Sequence, residues 1–182
     1  NFVLVFKNSF SVNCSYTQGP RKLSGNSGVQ YGRVNVNATP TRVNFTETFS
    51  DPVVIAMVVT QNDNSHVTCR VRNVNSSGFD VFLQAPSGSS HSASEDVGYF
   101  AVDLSNLPEG IEGGKKNFSG QNFQRIKFSQ SYSTDPVLLA FVQTENNQGM
   151  LVPGIKSHNS ESFCLRLGDS ETGSFSNSNE EI

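Results

Sequence analysis

The stretch Asp51 to Leu83 recurs without a gap as Asp135 to Leu167, and a chain that carries one pattern twice folds as copies of whatever one pattern can fold into. Asp51-Pro52-Val53 falls on Asp135-Pro136-Val137, Ala56 on Ala140, Thr60 on Thr144, Asn75 on Asn159, Phe79 on Phe163 and Leu83 on Leu167. Upstream, Arg42, Phe45 and Phe49 fall on Arg125, Phe128 and Tyr132 once one residue is inserted before Asp135. For 182 residues the repeat predicts two small domains of about 80 to 100 residues each.

Inside each copy the apolar residues alternate with a period of two or form short β-branched runs, which is the signature of strands. Strands are expected at Tyr31–Asn37, Val43–Phe49, Val53–Thr60, Val67–Val71, Phe79–Leu83 and Val97–Leu104, and again at Arg125–Tyr132, Val137–Thr144, Met150–Lys156 and Ser162–Leu167. Pro52 and Pro136 suit a first strand position, where a missing N–H costs nothing. Alternation puts Cys69 in the core and Arg70 and Arg72 in water, and it turns Cys164 outward. Phe45, Ile55, Val71, Phe79, Val81 and Leu83 are the expected core of the first copy, and Phe128, Leu139, Phe163, Leu165 and Leu167 that of the second. With no helical periodicity, the fold class is all-β: two tandem six-stranded antiparallel β-sandwiches.

Composition narrows the function classes. A net charge of −3 without Lys/Arg clusters lacks the electrostatic footprint of a nucleic-acid binder. The longest apolar run, Pro52 to Val59, has strand length and not the roughly 20 residues of a membrane span. Ser, Thr and Asn make up roughly 30% of the chain, which points to an extracellular or cell-surface protein. The chain begins with Asn and shows no signal peptide, as expected of a processed chain or a trimmed segment. Three cysteines, Cys14, Cys69 and Cys164, have no metal-ligand spacing, so neither a metal nor another cofactor is expected.

Nothing in the pattern announces catalysis. His66, His91 and His158 lie in loops or beside turns without a nucleophile signature, and the reading is that they are solvated. Glu95-Asp96 and Glu180-Glu181 recur before the last strand of each copy, which argues for a structural turn rather than an acid/base pair. Gly25 to Gly28 is too short for a phosphate loop. No enzyme activity is expected. Five sequons, at Asn13, Asn37, Asn44, Asn75 and Asn117, are candidate N-glycosylation sites, with Asn44 on an outward strand face and Asn75 in a turn.

The order of an aromatic-tipped strand, a DP-V-V start, a Gly-Phe strand and a closing Y-F-A-V strand is carried here by Phe45, Phe49, Pro52, Val53, Val54, Gly78, Phe79 and Tyr99 to Val102. It resembles the H-type lectin domain, a six-stranded sandwich of invertebrate agglutinins; immunoglobulin-like sandwiches share such short apolar strands. That family usually carries tryptophan in the closing strand, and this chain has none. The resemblance therefore implies the fold and no sugar-binding residue. A lectin or adhesin with a loop-lined cleft would draw on Gln61, Asn62, Asp63 and Asn64 with Tyr99; the second copy keeps Asn146 and Asn147 there but loses the acid.

The two ends of the chain carry the remaining expectation. The first copy runs through Glu95-Asp96-Val97 into GYFAV, whereas the second runs through Glu180-Glu181-Ile182 and stops. Writing the start after the finish gives EEI-NFVLV, which matches EDV-GYFAV with Asn1 at Gly98 and Phe2 at Tyr99. Asn1, Phe2, Val3, Leu4, Val5 and Phe6 are thus expected to serve as the missing strand of a neighbour's second domain, by β-strand addition. The organisation expected is residues 1–6 as donor strand, 7–105 as first sandwich, 106–120 as linker and 121–182 as incomplete second sandwich. Burying five apolar side chains is worth about 8 to 15 kcal/mol, comparable with the cost of association. A head-to-tail contact that does not close makes a filament; the alternative is that both ends are cut points in a longer covalent array. If the donor strand crosses between subunits, Cys14 and Cys164 are candidates for an intersubunit disulfide.

Overall fold

The computed structural model describes residues 2–6, 21–22, 28–169 and 179–182. Within them the chain is all-β, in several small antiparallel sheets. The strands are β1 (Phe2–Phe6), β2 (Arg21–Lys22), β3 (Val29–Val36), β4 (Thr41–Asn44), β5 (Pro52–Val58), β6 (Thr68–Asn75), β7 (Gly78–Gln84), β8 (Glu95–Asp103), β9 (Ile111–Glu112), β10 (Asn117–Phe118), β11 (Gln124–Lys127), β12 (Val137–Phe141), β13 (Leu151–Lys156), β14 (Ser162–Asp169) and β15 (Glu180–Glu181). One 3₁₀ turn, Leu104–Asn106, is capped by the Asp103 side chain.

In the first repeat the sheets run β2-β3-β8-β5 and β4-β7-β6. One apolar cluster draws on both: Val36, Val54, Ala56, Val97, Tyr99 and Ala101 from the former, and Val43, Cys69, Val71, Phe79, Val81 and Leu83 from the latter. In the second repeat the sheet β11-β14-β13 and the pair β10-β15 contribute to a cluster of Phe118, Tyr132, Val142, Leu151, Phe163, Leu165, Leu167 and Ile182. The registers coincide across the repeats: Val43 lies opposite Phe79 as Ile126 lies opposite Phe163, and Val71 opposite Val81 as Ile155 opposite Leu165.

Several expectations are corrected. The strand placed at Val43–Phe49 ends at Asn44. Phe45 and Phe49 instead lie in an irregular arm whose main-chain N–H groups donate to Ser77 O and Ser76 O at 2.8 and 3.0 Å. The arm recurs, with Phe128 N and Tyr132 N donating to Glu161 O and Ser160 O at 3.0 and 2.9 Å. Its aromatic pairs, Phe45 stacked on Phe49 at 4.6 Å and Phe128 edge-on to Tyr132 at 5.2 Å, imitate strand alternation in sequence. Gly78 makes the approach possible in the first repeat, since a Cβ there would stand 2.1 Å from Val43 O.

Val71, Phe79, Val81, Leu83, Phe163, Leu165 and Leu167 are buried as expected, whereas Phe45, Ile55 and Phe128 are half-buried and Leu139 is 40% exposed. Leu139 belongs to the β12 face turned from the second cluster, while Leu138 and Ala140 pack against it. Residues 106–120 contain β9, β10 and the fully buried Phe118. Cys69 is buried and Cys164 half-buried, and neither forms a disulfide.

Candidate assembly site

β12 is a short apolar strand, and β1 lies antiparallel along it with Phe2 opposite Phe141, Val3 opposite Ala140, Leu4 opposite Leu139, Val5 opposite Leu138 and Phe6 opposite Val137. On its other side β1 meets β9, with Val5 opposite Glu112 and Phe6 opposite Ile111. The Glu112 carboxylate anchors β9 by accepting from Ser129 N and Tyr132 Oη, both at 2.7 Å. Burial, helped by that carboxylate, pushes the Tyr132 phenol up to about 12, so it remains a donor across the physiological range.

In the first repeat β8 takes the corresponding edge of β5, with Ala56 opposite Tyr99 and Val58 opposite Val97. Ala140, the counterpart of Ala56, faces Val3 and not Phe2, one residue from the register expected of the joined ends. A one-residue slip exchanges the two faces of a strand. FVLVF is apolar at every position, so either register offers apolar residues to both faces and alternation does not choose between them.

The paired acids at the end of each repeat have one structural role. Glu95 accepts from Thr60 Oγ1 at 2.6 Å, Asn62 N at 2.7 Å and Asp63 N at 3.2 Å, closing the loop that follows β5. Glu180 accepts from Thr144 Oγ1 and Asn147 N and closes the loop that follows β12. Asp96 N and Glu181 N donate to the same threonine hydroxyl oxygens at 2.8 and 2.9 Å. Burial tends to raise the Glu95 pKa, but these hydrogen bonds together with His91 outweigh it and hold the carboxyl below its ordinary value.

His91 was expected in solvent and is instead wedged in this network, its side chain 3% exposed, with Nε2 3.1 Å from Glu95 and Nδ1 3.2 Å from Ser65 Oγ. Ser65 donates to Asp63 Oδ1 at 2.6 Å, which turns its proton away from the imidazole. Glu95 is occupied by main-chain donors. The constellation therefore latches a loop and presents no nucleophile-base pair. Hydrogen bonds from Ser65 and Ser92 hold the Asp63 carboxyl well below the carboxylate range, and Tyr99, the aromatic candidate for a sugar cleft, is 5% exposed and packed edge-on to Phe79 at 5.1 Å. Gln61, Asn62 and Asn64 are exposed, but the structure does not bring Tyr99 to the surface beside them.

Arg70 is the largest correction. It points away from the first cluster, as alternation requires, yet it is 1% exposed because the second repeat covers that face. Its guanidinium donates to Thr144 O and Gly149 O at 2.8 Å and to Gln84 Oε1 at 3.0 Å, with Glu180 Oε1 at 3.9 Å. Desolvation lowers its pKa while Glu180 and Glu145 oppose the shift. Arg72 pairs with Glu145 at 2.6 Å and lies 5.5 Å from the Phe82 ring. Beside it the buried Gln143 amide accepts from Val54 N at 2.8 Å and donates to Val54 O, as an added strand would. Arg70, Gln143 and Glu112 were missed by sequence reasoning. For Arg70 and Gln143 the signal is asymmetry between copies, since Arg70 falls on Gly154 and Gln143 on Val59.

Of the sequons, Asn37, Asn44, Asn75 and Asn117 are exposed. The Asn75 carbonyl accepts from Arg42 Nη2 at 2.8 Å, and its amide nitrogen donates to Asn73 O at 3.2 Å. Asn1, Asn13 and Cys14 lie outside the described residues. Among the described residues no group of His, Cys, Asp and Glu is placed to hold a metal, and no helix is long and apolar enough to cross a membrane. No family model, curated protein or solved structure matches this chain.

Proposed function

We propose that this chain is the structural subunit of an extracellular, N-glycosylated filament. It consists of two tandem six-stranded sandwiches of H-type-lectin-like kind, and the second takes its sixth strand, residues 1–6, from the next subunit. The observation that carries the proposal is the pairing of β1 with β12 over all five residues, on the edge that corresponds to the β8 side of β5. Strand exchange makes the same contacts between chains as within one, so its cost lies in the connection rather than in the interface. Residues 7 to 20 between β1 and β2 can span up to about 45 Å when extended, enough to reach a neighbour. β-Strand addition then supplies main-chain hydrogen bonds along β12 and covers an edge that would otherwise recruit another strand.

Negative-stain microscopy of the purified chain and of a chain lacking residues 1–6 tests this. The intact chain should form strings of paired globules, and the truncated chain dispersed subunits. Filaments that persist without residues 1–6 would overturn it.

A further inference from the structure

The junction between the two repeats uses different surfaces on its two sides, so it can be continued from one chain to the next. On its tail side the second repeat touches the first through Phe141, which packs against the first cluster, Gln143, and the loop Thr144–Gly149. The counterparts of these residues in the first repeat are Met57, Val59 and Thr60–Ser65. Met57 is 62% and Val59 46% exposed, two large apolar side chains in water at the places where Phe141 and Gln143 are covered. Glu95 pins this loop by the same hydrogen bonds as Glu180 pins its counterpart.

The receiving surface also has its counterpart. In the first repeat the part that takes the loop is the outer face of β6 and β7, with Arg70, Arg72 and Phe82, while Gln143 bonds Val54 on β5. In the second it is the outer face of β13, β14 and β11, which carries Lys156, Arg166 and Arg125, all exposed. Arg70 has become Gly154, but the Arg166 side chain fills that space, its Cγ and Nε each 3.4 Å from where a Gly154 Cβ would stand. Phe82 has become Arg166, but Phe123 provides a ring with Lys156 Nζ 3.8 Å and Arg166 Cζ 4.9 Å from its centroid. A cation on an aromatic ring beside an arginine is thus rebuilt from different positions. None of Lys156, Arg166 and Arg125 has an ion-pair partner among the described residues.

We infer that Met57, Val59 and the Thr60–Ser65 loop of one chain dock on the Phe123–Lys156–Arg166 face of the second repeat of another copy, repeating the intrachain junction between chains. The inference rests on the filament reading and has the same polarity: the subunit that donates β1 is the one whose first repeat lies against the recipient's second. It identifies a second, side-chain interface that fixes the angle between subunits joined by the strand.

The in-chain pair Arg72–Glu145 corresponds between chains to Lys156 and Gln61, so Gln61→Glu should create a salt bridge and tighten self-association about two- to fivefold at low salt. Met57→Glu and Lys156→Glu, both at exposed positions, should each weaken it about tenfold, and Gln61→Lys should restore much of the loss in Lys156→Glu. Sedimentation velocity over a concentration series reads all of these, with circular dichroism confirming that each variant is folded. If the unmodified chain polymerises and the four variants polymerise equally well, this contact is overturned while strand exchange stands. If the unmodified chain stays monomeric throughout, both are overturned. Tightening by Gln61→Glu together with the Lys156/Gln61 rescue would establish the contact, whatever the strand contributes.

Discussion

Replacing Arg70 by Ala removes the buried cation that, beside the more exposed Arg72–Glu145 pair, ties the β6 face to the loop after β12. Two of its hydrogen bonds are 2.8 Å and one 3.0 Å, all within the range of full bonds, while those to Asn147 O at 3.4 and 3.5 Å are at the limit and contribute little. Truncation leaves two carbonyls and the Gln84 amide oxygen without their donor, and the buried Glu180 carboxylate without its cation. Breaking one side of a buried charged group costs about 3 to 5 kcal/mol. Water entering the vacated space favours the lower end. For a chain of this size, that is a fall in Tm of roughly 6 to 20 °C. Urea unfolding followed by far-ultraviolet circular dichroism measures it. Glu180→Gln in the Arg70→Ala background removes the stranded charge, so the double variant should be less destabilised than the two single losses added together. A loss below about 1 kcal/mol without coupling would mean that Arg70 is solvated, as simple alternation suggests, and that the junction is not a fixed contact.

Further outcomes follow from single sites. Phe163→Ala, which removes a ring 1% exposed and 5.5 Å from Phe128, should cost about 3 to 5 kcal/mol in the same unfolding assay. Glu95, Asp63 and Asp103 all have folded pKa values below their ordinary ones. Their contribution is therefore complete above the unfolded carboxylate values near about 4 and is lost as pH falls through the folded values; Tm should be flat above about pH 5 and fall steadily below about 4, and Glu95→Gln should flatten that fall. Burial raises the Cys69 thiol to about 12, so a thiol reagent at neutral pH should modify Cys69 only in denaturant, whereas half-buried Cys164 reacts in the native protein.

Sequence alone carried the all-β class, the positions of β5, β7, β12 and β14 and most of the buried set, because period-two alternation reports directly which residues share a face. It did not carry the Phe45–Phe49 and Phe128–Tyr132 arms, where aromatics at a spacing of four pack on one another off the sheet. Nor did it carry Arg70: alternation says which face a residue is on but not what covers that face, and the cover is 74 to 79 residues away. That the apolar run at the start of the chain forms a strand was legible, but it was expected in a neighbour's second repeat and here pairs with β12 of its own chain; its register was not legible, since a strand apolar at every position fits both ways. His91 escaped because its partners, Ser65 and Glu95, meet only when the loops on either side of β6 and β7 close together.

Whether β1 crosses between chains is decided by trapping it where it lies. Leu4 and Leu139 are directly opposite in the antiparallel pair, a placement that brings Cα atoms to about 4.5 to 5.5 Å and within disulfide reach. A chain with Leu4→Cys and Leu139→Cys, and with Cys14→Ser and Cys164→Ser so that buried Cys69 is the one native thiol left, is allowed to assemble, oxidised and run on a denaturing, non-reducing gel. Strand exchange should give a ladder of covalent oligomers that collapses to one band on reduction. A single monomer band whose only change is an internal bridge would show that each chain keeps its own strand, and would contradict the filament.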